Sequence, residues 1–266
     1  DWTWIDAVAR EGRLPHWTAL QTEGVRADLQ SFVPLEKSPV IWTSIATGKR
    51  PSKHGIGGFT KGGRGEELTG SLARTAATYW EILGELGRTE GVVGWWVTYP
   101  ATPVNGVLVS DYVQYFPGGE GKVVGSVWPD SAWEIIDRHR VDPESITVED
   151  LGRFVDLEAA QAHPEAAQRH LEELKWIYAA DETFRRVARA LYQAGGFDVF
   201  SVYFRGLDPV CHTYWSYFQP ESTNLHMQDW EIRMLKGVVP AYYEYTDELL
   251  GEVREYVDPA SRILVL

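Results

Sequence analysis

The chain opens on an amphipathic stretch broken by Leu14-Pro15, and Gly24 ends a second one, so residues 1–30 read as helix and turn. Ser38-Pro39 then precedes an apolar run from Val40 to Ala46, which Thr47-Gly48 closes. A serine before a proline at the head of such a run is the pattern of a helix N-cap followed by Pro at the first helical position, and Gly48 suits the C-terminal stop. A glycine-rich loop follows from Gly55 to Gly70, and the spacing predicts a helix over Ala76 to Leu86 with Gly87 as its stop. Val92 to Val97 and Gly106 to Ser110 read as strands. Strands alternating with helices predict an α/β domain built on a mostly parallel sheet.

Between about Gly118 and Gly195 the pattern changes. Val141-Asp142-Pro143-Glu144 and Thr147-Val148-Glu149-Asp150 read as helix starts, and Pro164 to Gln193 has helical periodicity without a strand signal. Residues 118–195 are therefore expected to form a helical insertion beside the sheet. Phe197 to Phe204 returns to a buried-strand pattern, Pro240 to Tyr256 to a helical one, and Arg262-Ile263-Leu264-Val265-Leu266 reads as a final strand. The abrupt opening on Asp1-Trp2-Thr3-Trp4-Ile5 and the equally abrupt end lead us to expect a fragment lacking pieces at both ends.

Composition narrows the class. With 44% hydrophobic and 24% charged residues, a disordered, collagen-like or disulfide-scaffold chain is excluded. Lys and Arg number 25 against 38 Asp and Glu, a net charge of −13, so no broad basic face for nucleic acid is expected. A small anionic substrate stays compatible, because a metal ion or a helix N-terminus supplies a local positive field. The single cysteine, Cys211, fits the cytoplasm and a disulfide-free exported protein equally, so the compartment is left open. No apolar run reaches the length of a transmembrane segment.

Two places could carry chemistry. Ser38 at a helix start is either a cap or a hydroxyl placed where a phosphoryl group would be held, and metal coordination would make that hydroxyl a nucleophile. Asp208-Pro209-Val210-Cys211-His212 follows a strand, where α/β sheets bind ligands. Asp208 and His212, four apart at a helical start, project to one side and can share a divalent metal; the alternative is a cap with an exposed histidine. His54 is a ligand, a donor behind a ligand, or the anchor of its loop. The glycine-rich loop lacks the P-loop order, and Trp95-Trp96 reads as core or as a pocket wall. His139, His163, His170 and His226 have no metal-like companions, and no nucleophile motif surrounds Cys211.

Lys37-Ser38-Pro39-Val40-Ile41-Trp42-Thr43-Ser44-Ile45-Ala46-Thr47-Gly48, then Pro51, then His54-Gly55-Ile56, resembles the nucleophile segment of the type I phosphodiesterase/nucleotide pyrophosphatase family of the alkaline phosphatase superfamily. Asp208 and His212 match its Asp-x-x-x-His metal motif. Gly94-Trp95-Trp96, Tyr99-Pro100-Ala101 and Pro103-Val104-Asn105-Gly106 look like a prokaryotic branch of it. The resemblance implies an alkaline-phosphatase-like fold, with residues 1–266 as part of its catalytic domain. It further implies Ser38 as nucleophile, a phospho-enzyme intermediate, and two divalent cations held in part by Asp208, His212 and Ser38; zinc suits the Asp/His set, with manganese or iron also compatible by ligand type. The family's remaining ligands would fall beyond both ends of the chain, so the fragment alone is expected to be inactive; Asp1 does not substitute for the upstream Asp. Phe59 stands, by spacing, where nucleotide-type members carry an Asn that steadies the transferring phosphoryl oxygen. The implied substrate is a small phosphoester, with a phosphodiester first. Phosphomonoesterase, phosphonate hydrolase, phosphotransferase and a non-catalytic binding member are the rival readings, and neither substrate identity nor oligomeric state is legible.

Overall fold

The computed structural model describes residues 2–61, 67–115 and 121–266. Its helices are, in chain order, α1 (Trp2–Arg10), α2 (Pro15–Glu23), α3 (Ser38–Thr47), α4 (Pro51–His54), α5 (Tyr79–Glu85), α6 (Trp133–His139), α7 (Leu157–Ala162), α8 (Pro164–Ala194), α9 (Leu207–Phe218), α10 (Asp229–Leu235) and α11 (Val238–Tyr256). The strands are β1 (Glu90–Val93), β2 (Gly106–Val109), β3 (Val127–Trp128) and β4 (Val199–Val202). The chain divides into two compact units. Asp28–Arg140 and Thr183–Phe204 form the sheet-bearing one; Asp1–Ala27, Val141–Glu182 and Arg205–Leu266 form a helical one.

In the sheet-bearing unit the strand order is β3-β2-β1-β4. β1 pairs in parallel with β2 and with β4, and only β3 runs antiparallel. Side chains alternate across the pleat. Val92 and Leu108 therefore enter a cluster with Ala46, Trp80, Trp95 and Tyr203, while Val93 and Val109 enter another with Ile136, Phe184, Val187 and Leu191. Both faces of β1 are covered, which is why it reads as a continuous apolar run. The strand is shorter than its pattern predicts. Gly94 adopts φ +73° directly after Val93, so Trp95, Trp96 and Val97 leave the ladder. The helix expected from Ala76 starts later, at Tyr79, because Thr78 and Glu81 form a reciprocal capping box.

Glu90, at the amino end of β1, is fully buried, and neither carboxylate oxygen has a hydrogen-bond partner among the described residues. Burial, with a smaller contribution from the Asp198 charge, pushes its pKa up. A folded-state pKa above the unfolded value means that the folded chain holds this proton longer, so stability falls as pH rises from the ordinary Glu range through the raised value. Glu90→Gln is expected to be more stable than the parent at pH 7 by about 1–3 kcal/mol and to lose this component of the pH slope, as measured by denaturant titration from pH 4 to 8.

The helical unit solves one local problem twice. α2 begins at Pro15 with Leu14 at its cap position, and Leu has no side-chain acceptor. The free N–H groups of His16 and Trp17 donate instead to the carboxylate of Asp247 on α11, at 3.1 and 2.7 Å. α9 begins after Gly206, again without a capping side chain of its own. There Asp181 of α8 accepts from the N–H groups of Arg205 at 2.9 Å and Gly206 at 3.0 Å. An unpaired buried donor is costly, so both aspartates secure helix starts that their local sequence leaves open. Residues 262–266, read above as a strand, have no regular structure and leave Leu264 and Leu266 exposed. A strand needs a paired backbone neighbour, and none is formed there among the described residues.

Candidate active site

Ser38 belongs to the sheet-bearing unit, where α3 is anchored at the carboxyl ends of β1 and β4. The Trp95 indole N–H, one turn past β1, donates to the Trp42 carbonyl at 3.1 Å, and the Trp42 ring packs edge-on against Tyr203, just past β4. The helix N-terminus corrects the cap reading. Lys37, extended at φ −75° and ψ 153°, is the capping residue, and its carbonyl accepts from Val40 at 2.9 Å and Ile41 at 3.1 Å. Ser38 is thus the first helical residue and Pro39 the second. The Ser38 hydroxyl has no hydrogen bond among the described residues and is half-buried. Pro39 brings no N–H, and the Val40 N–H is taken by Lys37, so the amide of Ser38 itself is the open donor of this turn.

His54 is engaged as the anchor of its loop through both ring nitrogens. Its Nδ1 accepts from the Ile56 N–H at 3.1 Å, which places the proton on Nε2. Nε2–H then donates to Ser44 Oγ at 2.9 Å, and the Ser44 hydroxyl donates to the Val40 carbonyl at 2.8 Å. Burial, aided by the nearby Arg74 charge, holds the imidazole pKa down, so this relay from loop to α3 uses the neutral ring. Part of the glycine-rich loop, residues 62–66, lies outside the described residues.

Asp208 and His212 lie in the helical unit on the first turns of α9. Gly206 takes the cap position, so Asp208 is not the cap. The helix brings the pair together as the spacing predicts: His212 Nε2 lies 3.6 Å from Asp208 Oδ1, and their side chains are 80% and 52% exposed, open to a ligand. Their donor atoms, an imidazole nitrogen and a carboxylate oxygen, suit a borderline divalent cation. Among the described residues no group of three or more His, Cys, Asp or Glu side chains is arranged to hold a metal. The pair therefore fits as two ligands of a site, short of a closed one.

Asp181, which sequence reasoning passed over, fixes the start of α9. It is buried, and besides the two amides it accepts from the Tyr242 hydroxyl at 2.9 Å. Burial pushes its pKa up to about 6, against the pull of these three donors. Gly206 is demanded by close approach, since a Cβ there would overlap both the Tyr242 hydroxyl and the Asp181 carboxylate. Mid-helix, an Asp in the Ala/Glu/Arg-rich stretch reads as a solvated face, and no local signal marks it.

The remaining candidates resolve into structure. Trp95 is core. His163 stacks on Trp230, His170 lies 3.7 Å from Glu231, and His139 Nδ1 is bonded to the Ile135 carbonyl. Burial raises the Cys211 pKa, so the thiol stays protonated at neutral pH. No helix among the described residues is long and apolar enough to cross a membrane.

A family model described as type I phosphodiesterase / nucleotide pyrophosphatase matches residues 2–266. No curated protein and no solved structure matches the chain.

Proposed function

Because the chain belongs to the type I phosphodiesterase/nucleotide pyrophosphatase family, we propose that it hydrolyses a small phosphodiester through Ser38. Members of that family are phosphodiesterase and pyrophosphatase hydrolases of the alkaline phosphatase superfamily and use divalent metal ions. The mixed α/β architecture with its mostly parallel open sheet is consistent with an alkaline-phosphatase-like fold.

The observation that carries the reading is the uncommitted Ser38. A serine that served only to start α3 would spend its hydroxyl on the helix amides. This one caps nothing, and it stands with its own free N–H at the positive end of the helix dipole. Ser38 Oγ would attack phosphorus in line, its proton passing to solvent, as the bond to the leaving alcohol breaks. Water would then attack the phosphoserine, release the monoester and restore the hydroxyl. The Ser38 amide is positioned to donate to a phosphoryl oxygen as charge builds on it. Asp208 and His212 would hold one cation and Ser38 would ligate a second, with zinc fitting this oxygen and nitrogen donor set. Bound there, such cations supply Lewis-acid stabilisation of the phosphoryl oxygens and a lowered hydroxyl pKa.

The test compares initial rates on bis-p-nitrophenyl phosphate and p-nitrophenyl phosphate with the full-length protein supplied with zinc. Faster turnover of the diester is expected. A faster monoester would reassign the protein as a phosphomonoesterase, and no turnover of either would support a non-catalytic member.

A further inference from the structure

The chain leaves the carboxyl end of β1 through two left-handed residues, Gly94 at φ +73° and Val97 at φ +61°. Glycine takes that conformation freely, whereas a β-branched residue is strained in it. Among the described residues Val97 is the one non-glycine with a positive φ. Strain of this kind persists only where the surroundings over-determine it, and it concentrates at functional sites.

The residue that imposes it is the buried Asp111, two positions past β2. One carboxylate oxygen accepts from the Val97 N–H at 3.3 Å and the other from the Thr98 N–H at 3.4 Å. The Thr98 hydroxyl accepts from the Asp111 N–H at 3.2 Å and donates to the Trp95 carbonyl, so the two segments lock each other. From another side the Arg74 guanidinium donates to the Val97 carbonyl at 3.4 Å and pairs with Glu81 at 2.7 Å.

The locked turn carries one side chain that reaches α3. Trp95, its backbone held by Thr98, sends its indole N–H to the Trp42 carbonyl at 3.1 Å, and the two rings meet edge-on at 5.3 Å and 89°. Trp42 lies one turn along α3 from Ser38; in an α-helix its N–H is the one that the Ser38 carbonyl accepts. The Ser38 hydroxyl has no hydrogen bond among the described residues, so the place of this residue is set through the backbone of α3.

We propose that Asp111 is a positioning residue for Ser38: by locking the left-handed turn it aims the Trp95 indole, and the indole seats the first turn of α3 at the carboxyl end of β1. The inference rests on the reading of Ser38 as nucleophile. Asp111 itself touches no substrate in it, since its effect passes through Thr98, Trp95 and Trp42. A misplacement of about 1 Å costs an enzyme about 10²-fold in rate, so a turn that resists relaxing serves an attacking oxygen in a way that packing alone does not require.

Two variants of the full-length, zinc-supplied protein cut this path at different points. Asp111→Asn puts an amide NH2 where a carboxylate oxygen accepts, and Trp95→Phe removes the indole N–H while leaving an aromatic ring. Hydrogen exchange read by mass spectrometry, with each variant folded, is expected to quicken about fivefold or more over residues 37–48 in both. Residues 79–86, behind their own capping box, should exchange as in the parent. On bis-p-nitrophenyl phosphate each variant should lower kcat about 10-fold to 100-fold with KM within about twofold, and the double variant should lose no more than the worse single one. In a Ser38→Ala background, Asp111→Asn should change the residual rate by less than about twofold. Losses that multiply in the double variant, an equal loss with and without Ser38, or parent-like exchange over 37–48 would each overturn the proposal. Trp95→Phe leaves the Asp111 lock intact, so it carries the test if Asp111→Asn folds poorly. If Ser38→Ala leaves turnover intact, the nucleophile reading falls by itself, while faster exchange over 37–48 would still place α3 under the control of Asp111.

Discussion

Ser38→Ala is expected to lower kcat on phosphoester substrates by at least about 10³-fold, with the melting temperature unchanged or slightly higher. The two halves of this expectation come from different parts of the geometry. Loss of the attacking oxygen removes the covalent route, and what remains is whatever binding and electrostatics accelerate without it. The stability half separates this reading from a cap. Replacing a true N-cap serine costs about 0.5–2 kcal/mol. Ser38 is the first residue inside α3, its hydroxyl satisfies no amide, and alanine is the better helix former there. A variant that stays active but melts early would return Ser38 to a structural role. Intact-protein mass spectrometry after acid quenching gives a second readout: a phosphoryl adduct in the parent, absent from the variant.

The largest effect on stability is expected from Asp181→Ala, a loss of about 2–4 kcal/mol in denaturant unfolding. The substitution strands three buried donors at once: the amides of Arg205 and Gly206 and the Tyr242 hydroxyl. It also empties space that Gly206 is small enough to leave for the carboxylate. Asp181→Asn keeps an acceptor for the amides and should lose less. The pH dependence has a definite sign. Because the folded-state pKa is pushed up to about 6 from 3.8, the folded chain binds more protons between those values, and the parent loses this component of stability as pH rises through them. The alanine variant should lack the slope. Since α9 carries Asp208 and His212 on its first turns, the same variant should bind zinc more weakly, as read by competition with a chromophoric chelator. Unaltered unfolding and zinc affinity would show that α9 does not depend on Asp181.

How far the sequence reached depended on where each partner sits. α2, α3, α8 and α11 were legible within a few residues because Pro, Gly and apolar spacing act locally. The parallel sheet followed from alternation of strands and helices. Strand ends were less legible: Gly94 turns left-handed, so Trp95 to Val97 depart from a run that still looks apolar, and Ile263 to Leu266 has strand residues without a paired neighbour. At Ser38 the issue was a single position. A cap and a first helical residue have the same local text, and the bond from Ile41 back to Lys37 decides between them. The approach of His212 to Asp208 was legible because the two lie four residues apart on one helix. Asp181 was not, because its partners lie 24 to 61 residues away.

The cap on α2 bears on the order in which the protein can be assembled. His16 and Trp17 leave the ribosome well before their acceptor, residue 247, which is separated from them by 231 and 230 positions. β1 to β4 all precede α11 in the chain, so these strands are available while α11 is still untranslated. At about 5–20 residues per second, α2 waits several seconds after that point before Asp247 exists at all. During translation α2 therefore stays incompletely satisfied until α11 has emerged, and that interval is a window for a nascent-chain chaperone.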